Sequence, residues 1–183
     1  MAQFKLGGMY LEEKGVSQDY AMALQWFEKA ATQGYAEAQY SLGGMYLRGQ
    51  SVPQDYATAR GWFEKAAAQG YVTAQVNLGW MYLIGNGVPQ DYTTARGWFE
   101  QAAAQGNETA QLALGTLYAK GRGTPQNNVK ALMWLNLAAA STDHTQKLTA
   151  DIRDEIARRL TPAQIAEAQR LSQKCQTQGL KGC

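Results

Sequence analysis

Apolar residues recur at helical spacing along most of this chain. In residues 38–48 they fall on one face of a predicted helix: Ala38, Leu42, Met45 and Tyr46. Residues 56–69 form a second predicted helix whose inward positions are Tyr56, Ala59, Trp62, Phe63, Ala66 and Ala67. The loop between them contains Pro53. The pattern therefore predicts a pair of helices joined by a short turn.

This pair is copied at a fixed interval of 36 residues. Trp-Phe occurs at 26–27, 62–63 and 98–99, followed by Trp134-Leu135, and Leu-Gly occurs at 6–7, 42–43, 78–79 and 114–115. Such a period indicates one structural unit stacked on its own copies. We predict an all-α fold, a solenoid of four helix-turn-helix repeats. The predicted repeats are about 1–35, 36–71, 72–107 and 108–143, in a single domain that ends in a capping helix pair, 144–183.

The helix ends are marked in every copy. Asp19, Asp55, Asp91 and the variant Asn127 stand where an N-cap is needed, and Gly34, Gly70 and Gly106 are expected to end the copies in the left-handed conformation. Gly43 and its counterparts lie inside helices at a cost of about 1 kcal/mol against Ala, which suggests close approach of a partner helix. The Gly-x-Gly loops lack a third glycine and a preceding strand, so they predict turns rather than a phosphate site. The fourth copy departs from the pattern at Asn128, Leu135 and Thr142.

Beyond Thr142 the period is lost, as expected for a cap. One predicted helix carries Leu148, Ile152, Ile156 and Leu160 on a single face, with charged residues opposite. Thr161-Pro162-Ala163-Gln164 has the form of a capping box and opens a last helix with Ile165, Ala168, Leu171 and Cys175 inward. We expect this pair to seal the apolar end of the stack. A membrane-surface helix is the alternative, disfavoured by acidic residues on the polar face.

Charge and composition indicate neither a nucleic-acid partner nor a membrane span. The net charge is +2, with 7 Lys/Arg against 10 Asp/Glu in residues 1–119 and 10 against 5 in residues 120–183. The basic residues of 120–183 do not alternate with aromatic residues that could stack on bases. We therefore interpret this region as a solvated face and expect no nucleic-acid partner. No apolar run approaches 18 residues, so we expect no membrane span. We also expect no cofactor and no metal site.

Two cysteines give information on the cellular compartment in which the protein works. Cys175 and Cys183 lie at the far C-terminal end, and Gly179 between them could reverse the chain. A disulfide between them would persist only in an oxidising compartment, whereas two free thiols would indicate the cytoplasm. We expect no export signal within these residues, because residues 2–7 already align with residues 38–43 inside a first helix. We favour a chain from which a signal or further repeats have been removed over one that starts there naturally.

The repeated pattern resembles a known family. Ala-x-x-x-Leu-Gly-x-Met-Tyr, then Gly-x-Gly-Val-Pro-Gln-Asp-Tyr, then Ala-x-x-Trp-Phe-x-x-Ala-Ala-x-Gln-Gly is similar to the Sel1-like repeats, which are relatives of the tetratricopeptide solenoids. The likeness covers about residues 2–141, and the tail from Leu160 resembles the cap of exported bacterial members. Glu13 and Ser51 in the glycine columns and Asn127-Asn128 in place of Asp-Tyr are departures. The resemblance implies a right-handed α/α superhelical solenoid that acts as an adaptor or scaffold for protein–protein interaction. It also implies a periplasmic or secreted protein, with the cytoplasm as the alternative.

In this architecture the first helices line a concave groove, so their variable columns are candidate contacts. We name these columns the variable stripe; its proposed partner-binding residues are Lys5, Ser41, Arg48, Asn77, Trp80, Ile84, Thr116 and Lys120. Trp80 is the outlier, since its column otherwise holds Gly8, Gly44 and Thr116. A large aromatic among small residues is typical of a binding hot spot. The alternative is that Trp80 packs between repeats.

These features favour a non-enzymatic scaffold, expected to be a monomer, that binds a peptide or protein partner in the groove. The alternative is a cell-wall-related hydrolase, because some Sel1-like proteins were described as β-lactamases. The sequence speaks against it, since it contains neither Ser-x-x-Lys nor His-Glu-x-x-His, and its one histidine, His144, falls in a polar loop. A third possibility is a groove completed by absent repeats or by a second copy.

Overall fold

The computed structural model describes residues 1–139, 146–180 and 183. Every regular element in these described ranges is an α-helix, which confirms the predicted all-α class. Two positions discussed above, Thr142 and His144, lie outside the described residues. The chain divides into two compact units, Met1–Gln90 and Asp91–Cys183, which are described in turn.

The first unit contains five helices in which each packs against the next. They are α1 (Ala2–Glu12), α2 (Tyr20–Thr32), α3 (Ala36–Arg48), α4 (Tyr56–Ala68) and α5 (Val72–Ile84). The predicted helices over 38–48 and 56–69 correspond to α3 and α4, with α3 beginning two residues earlier and α4 ending one residue earlier. Helix formation at this 36-residue interval confirms the predicted repeat.

The second unit continues the same alternation and then adds the cap. Its helices are α6 (Tyr92–Ala103), α7 (Glu108–Lys120), α8 (Asn128–Ala138), α9 (Gln146–Ala157) and α10 (Pro162–Gln178). Both α9 and α10 pack against α8, so the last repeat helix carries the cap on its surface. The predicted capping box is present: the Gln164 amide donates to Thr161 Oγ1 at 3.3 Å, and the Thr161 amide donates to Gln164 Oε1 at 2.9 Å.

The Trp-Phe pairs divide between core and surface. Phe27, Phe63 and Phe99 are completely or almost completely buried, and each such ring contributes about 1.5–3 kcal/mol through the hydrophobic effect. Trp26, Trp62 and Trp98 are only half-buried. The Lys65 ammonium stands 4.0 Å from the centre of the Trp62 ring, one turn along the helix. Tyr56 and Trp62 were both predicted to point inward, and this is only partly correct, because Phe63 takes the central position.

Side-chain hydrogen bonds fix the loops, as predicted for the caps. Asp55 Oδ1 accepts from the amides of Ala57 and Thr58 at 2.9 and 3.1 Å. Gln54 Nε2 donates back to the carbonyl of Leu47 at 2.8 Å, near the end of α3. The same bond recurs in each copy, from Gln18, Gln90 and Gln126. The recurring Gln therefore closes each loop onto the helix before it.

Left-handed residues end the helices, also as predicted. Gly34, Gly70 and Gly106 have φ of 87, 84 and 86°. Glu13 and Ser51, which replace glycine in the loop columns, keep left-handed backbone at φ 58 and 57°. The departures from the repeat pattern therefore leave the loop conformation unchanged, at the cost of a strained backbone for a residue with a Cβ.

One prediction for the cap is wrong. Leu148 was expected on the inner face of α9, but it is 55% exposed, whereas Thr149 and Ile156 are buried. At 3.6 residues per turn, Thr149 and Ile156 point in nearly the same direction and Leu148 lies about 100° away. Leu160 follows the end of α9 and is half-buried.

The tail is closed by the predicted disulfide. Cys175 on α10 is bonded to Cys183, with 5.8 Å between their Cα atoms and eight residues of sequence separation. Gly179, with φ 76°, follows α10 and lets the chain turn back. The bond therefore ties Cys183 to the buried side of α10.

Candidate partner-binding surface

Close helix packing determines which face of each first helix remains available. In α3, Leu42, Gly43 and Met45 are buried. A Cβ on Gly43 would stand 2.6 Å from the Phe63 ring and 3.1 Å from the Ala59 carbonyl oxygen, which confirms the predicted close approach of α4. The variable stripe lies beside this buried face at positions separated by three and four residues.

The most apolar part of the variable stripe is on α5. Trp80 is 37% exposed and Ile84 is 60% exposed, and the two lie one turn apart on the same helix face. Asn77, one turn before Trp80, is half-buried. An exposed isoleucine beside a partly exposed tryptophan forms a short apolar ridge on this helix.

On α3 the variable stripe is partly filled by its own side chains. Arg48 lies back over Gly44, so that a Cβ on Gly44 would stand 3.0 Å from Arg48 Nη2, and Gly44 is buried. Arg48 Nε also donates to Gln50 Oε1 at 3.0 Å. Ser41 donates its hydroxyl to the Glu37 carbonyl at 2.9 Å. The Arg48 guanidinium therefore covers Gly44 in this column.

On α1 the variable stripe is open. Lys5 is exposed, and apart from its chain neighbours and the backbone of its own helix nothing lies within 4 Å of a Cβ built on Gly8. Glu12 is exposed and pairs with Lys14, with 2.5 Å between Oε2 and Nζ. This helix combines a cation and an anion with an uncovered backbone.

The second unit carries the remaining candidates on α7. Thr116 is half-buried and donates its hydroxyl to the Leu112 carbonyl at 3.0 Å, while Lys120 is exposed at the last turn. Ala113, in the same column as Lys5, is buried and belongs to the core.

In repeats two and three an arginine, not singled out from the sequence, links the second helix to the first helix of the next repeat. In the first unit Arg60 on α4 hydrogen-bonds to Tyr82 on α5, which raises the pKa of Arg60. In the second unit burial lowers the pKa of Arg96, but the Glu100 carboxylate and Tyr118 more than offset burial and raise it overall. The shared Ala-Arg-Gly-Trp-Phe-Glu segment of repeats two and three was the available signal.

Two other kinds of feature were sought among the described residues: a metal site and a membrane-spanning helix. No three His, Cys, Asp or Glu side chains among residues 1–139, 146–180 and 183 stand close enough together to hold a metal ion. Over the same ranges, no helix is both long and apolar enough to cross a membrane.

Known proteins share both the repeat and the fold. The Sel1 repeat pattern matches residues 1–35, 36–71, 72–107 and 109–143. A Sel1 repeat protein from Oxalobacter formigenes is 42% identical with a TM-score of 0.74, and the likeness covers 82% of this chain and 44% of that one. The protective antigen c5321 of uropathogenic Escherichia coli, which has an SLR fold, is 30% identical with a TM-score of 0.63. The likeness covers 94% of this chain and 44% of that one.

A third similar structure is described as a putative Sel1 repeat protein from Klebsiella pneumoniae. It is 25% identical with a TM-score of 0.53, covering 85% of this chain and 76% of that one. The chain thus spans 44% of the length of the Oxalobacter and E. coli proteins. No curated protein matches it significantly.

Sel1 repeat proteins are in general non-catalytic scaffolds for protein–protein interaction. With four matched repeats and helices at the repeat interval, this chain belongs to the Sel1 repeat family.

Proposed function

We propose that this chain is a non-enzymatic scaffold that binds a peptide or an extended protein segment on the variable stripe of its first helices. The observation that carries the proposal is the ridge on α5, where Trp80 is 37% and Ile84 is 60% exposed. Tryptophan is enriched among residues that contribute most to binding energy, and burial of an exposed Ile–Trp pair by a partner is favourable.

The first helices of the two preceding repeats, α3 and α1, supply polar contacts for such a partner. Arg48 is exposed at the end of α3, and its guanidinium can donate to backbone carbonyls or to a carboxylate. Lys5 lies on the exposed face of α1 together with Glu12. This mixed charge favours a partner segment without a strong charge of either sign.

Capture of a partner by variant proteins tests the proposal. Trp80→Ala and Arg48→Glu should leave the circular dichroism spectrum unchanged and reduce the recovery of a partner from an envelope fraction of the source organism. Leu148→Ala is the matched control, because Leu148 is 55% exposed and apolar but lies on the cap helix α9. Recovery that both stripe variants leave undiminished would contradict the assignment.

We further propose that the protein works outside the cytoplasm, in the periplasm or as a secreted protein, and that it is a monomer. The disulfide between Cys175 and Cys183 supports this location, because such bonds persist in oxidising compartments. Thiol titration of unreduced protein should find no free cysteine, and two reactive thiols would indicate the cytoplasm instead. Light scattering at several concentrations tests the monomer, and a mass that rises with concentration would contradict it.

A further inference from the structure

The loop after α5 contains an asparagine followed directly by a glycine, Asn86-Gly87. The other three copies hold Lys14, Gln50 and Arg122 at the position of Asn86, so this pair occurs in the third repeat only. Asparagine is a labile residue, because its side-chain amide can react with the backbone nitrogen of the residue that follows it. A glycine in that next position leaves the nitrogen unhindered, since it has no side chain.

The fold itself requires this glycine. Gly87 has a φ of 71°, in the left-handed region. A Cβ on Gly87 would overlap the Cβ of Tyr56 and stand 3.1 Å from the Tyr56 carbonyl carbon, at the start of α4. Any residue with a side chain would therefore be strained here in both conformation and packing. The contact of this loop with α4 thus keeps a glycine next to the asparagine.

The reacting atoms are accessible in the folded protein. Gly87 is exposed, and Asn86 is half-buried. The Asn86 amide donates to the Met81 carbonyl at 3.0 Å, whereas the Gly87 amide donates to no other residue that the structure describes. The Gly87 nitrogen is therefore available to the neighbouring side chain, and water can reach this part of the loop.

The other asparagines are followed by larger residues. They are Asn77, Asn107, Asn127, Asn128 and Asn136, and the residues after them are Leu, Glu, Asn, Val and Leu. Two of them are also held by their side chains: Asn107 Oδ1 and Asn127 Oδ1 each accept a backbone amide at 2.9 Å as N-caps. Asn86 is therefore the asparagine that we expect to react first.

We propose that Asn86 is a site of spontaneous deamidation in the folded protein. The Gly87 nitrogen loses its proton and bonds to Cγ of Asn86, and the Asn86 side-chain nitrogen leaves as ammonia, which gives a cyclic succinimide. Water then opens the ring. Cleavage of the bond between Cγ and the Gly87 nitrogen gives aspartate. Cleavage between the backbone carbonyl carbon of residue 86 and that nitrogen gives isoaspartate, in which the main chain runs through Cγ.

Either product changes the surface at the end of α5. Both add a carboxylate near the negative end of the helix, and isoaspartate also lengthens the main chain where the loop fits against α4. In the second repeat the side chains at the equivalent positions are in contact, since Arg48 Nε donates to Gln50 Oε1 at 3.0 Å. Deamidation of Asn86 therefore places a negative charge beside Ile84. The reaction itself does not depend on the proposed scaffold function.

Peptide mapping by mass spectrometry tests the site in the full chain. The protein is incubated at mildly alkaline pH, because base promotes loss of the proton from the Gly87 nitrogen, and circular dichroism shows that it stays folded. Aspartate and isoaspartate should accumulate at Asn86, while the N-cap Asn107 stays intact. An intact Asn86 at a time when a synthetic peptide of residues 81–92 has fully reacted would overturn the proposal, as would equal modification of Asn107.

One substitution isolates the reacting side chain. Asn86→Gln reproduces the residue that the second repeat holds at this position, Gln50, and a glutamine would have to close a larger and less favourable ring. This variant should stay folded and lose the early release of ammonia. Asn77→Gln, at a half-buried position within α5, should release ammonia as the parent protein does. Unchanged ammonia release from Asn86→Gln would contradict the assignment.

Discussion

The ring of Phe63 occupies the space that a methyl group on Gly43 would need. The Cβ position of Gly43 lies 2.6 Å from Phe63 Cδ1 and Cε1, well inside the contact distance of two carbon atoms. Gly43 therefore lets α3 and α4 approach more closely than any other residue would permit. The same relationship recurs between Gly7 and Phe27, which shows that the two columns of the repeat depend on each other.

Gly43→Ala should destabilise the protein even though alanine favours helix. Overpacking costs about 1–3 kcal/mol, and the gain in helix propensity returns about 1 kcal/mol at most. We expect a net fall of up to about 2 kcal/mol in the free energy of unfolding, measured by urea denaturation.

Gly61→Ala is the matched control in the partner helix. Gly61 lies within α4, and apart from its chain neighbours and the backbone of α4 nothing is within 4 Å of its Cβ position. Alanine should therefore raise the free energy of unfolding by about 0.4–1 kcal/mol. If Gly43→Ala stabilised the protein as Gly61→Ala does, close helix approach would not be the reason for the glycine.

The recurring loop glutamine makes a second prediction. Gln54→Ala removes the bond to the Leu47 carbonyl and should cost about 0.5–1.5 kcal/mol. Gln54→Glu should cost more at neutral pH, since it places a negative charge against the negative end of α3. Gln25→Ala, at an exposed position within α2, should change stability by less than about 0.5 kcal/mol. A Gln54→Glu protein as stable as the parent would refute the proposed donor role.

Asp55 gives a pH prediction. The Thr58 hydroxyl donates to Asp55 Oδ2 at 2.6 Å, and this bond, with the amides of Thr58 and Ala57, lowers the pKa of Asp55. A carboxylate whose pKa is lower in the folded state than in the unfolded state stabilises the fold above the unfolded value of about 3.9, and this contribution is lost as pH falls through the folded pKa.

Thr58→Val removes the hydroxyl and should raise the pKa of Asp55 toward its ordinary value. Asp91, whose pKa is lowered in the same way by Thr94, serves as the internal reference and should not move. Titration of the carboxyl carbons by nuclear magnetic resonance measures both. Parallel movement of the two pKa values would point to a general change rather than to the lost bond.

Much of the fold followed from local chemistry in the sequence. The caps at Asp55 and Gly70, the box at Thr161 and the close approach at Gly43 each depend on residues near in sequence or on the repeat itself. Leu148 could not be placed in this way, because the direction in which α9 faces α8 depends on packing between distant segments.

The candidate partner-binding surface was harder to predict from local chemistry in the sequence. Comparison of columns identifies Trp80, but the position of the Arg48 side chain over Gly44 depends on rotamers that spacing does not specify.

The most direct test of the central claim places a photo-cross-linker on the variable stripe. A benzoylphenylalanine at position 80 replaces Trp80 with another large aromatic, and one at position 25 replaces the exposed Gln25 of the second helix α2 as a reference. After irradiation in an envelope fraction, we predict a covalent adduct with one protein partner from position 80 and none from position 25. Adducts from position 25 alone, or equal adducts from both, would contradict the claim that the first helices bind the partner.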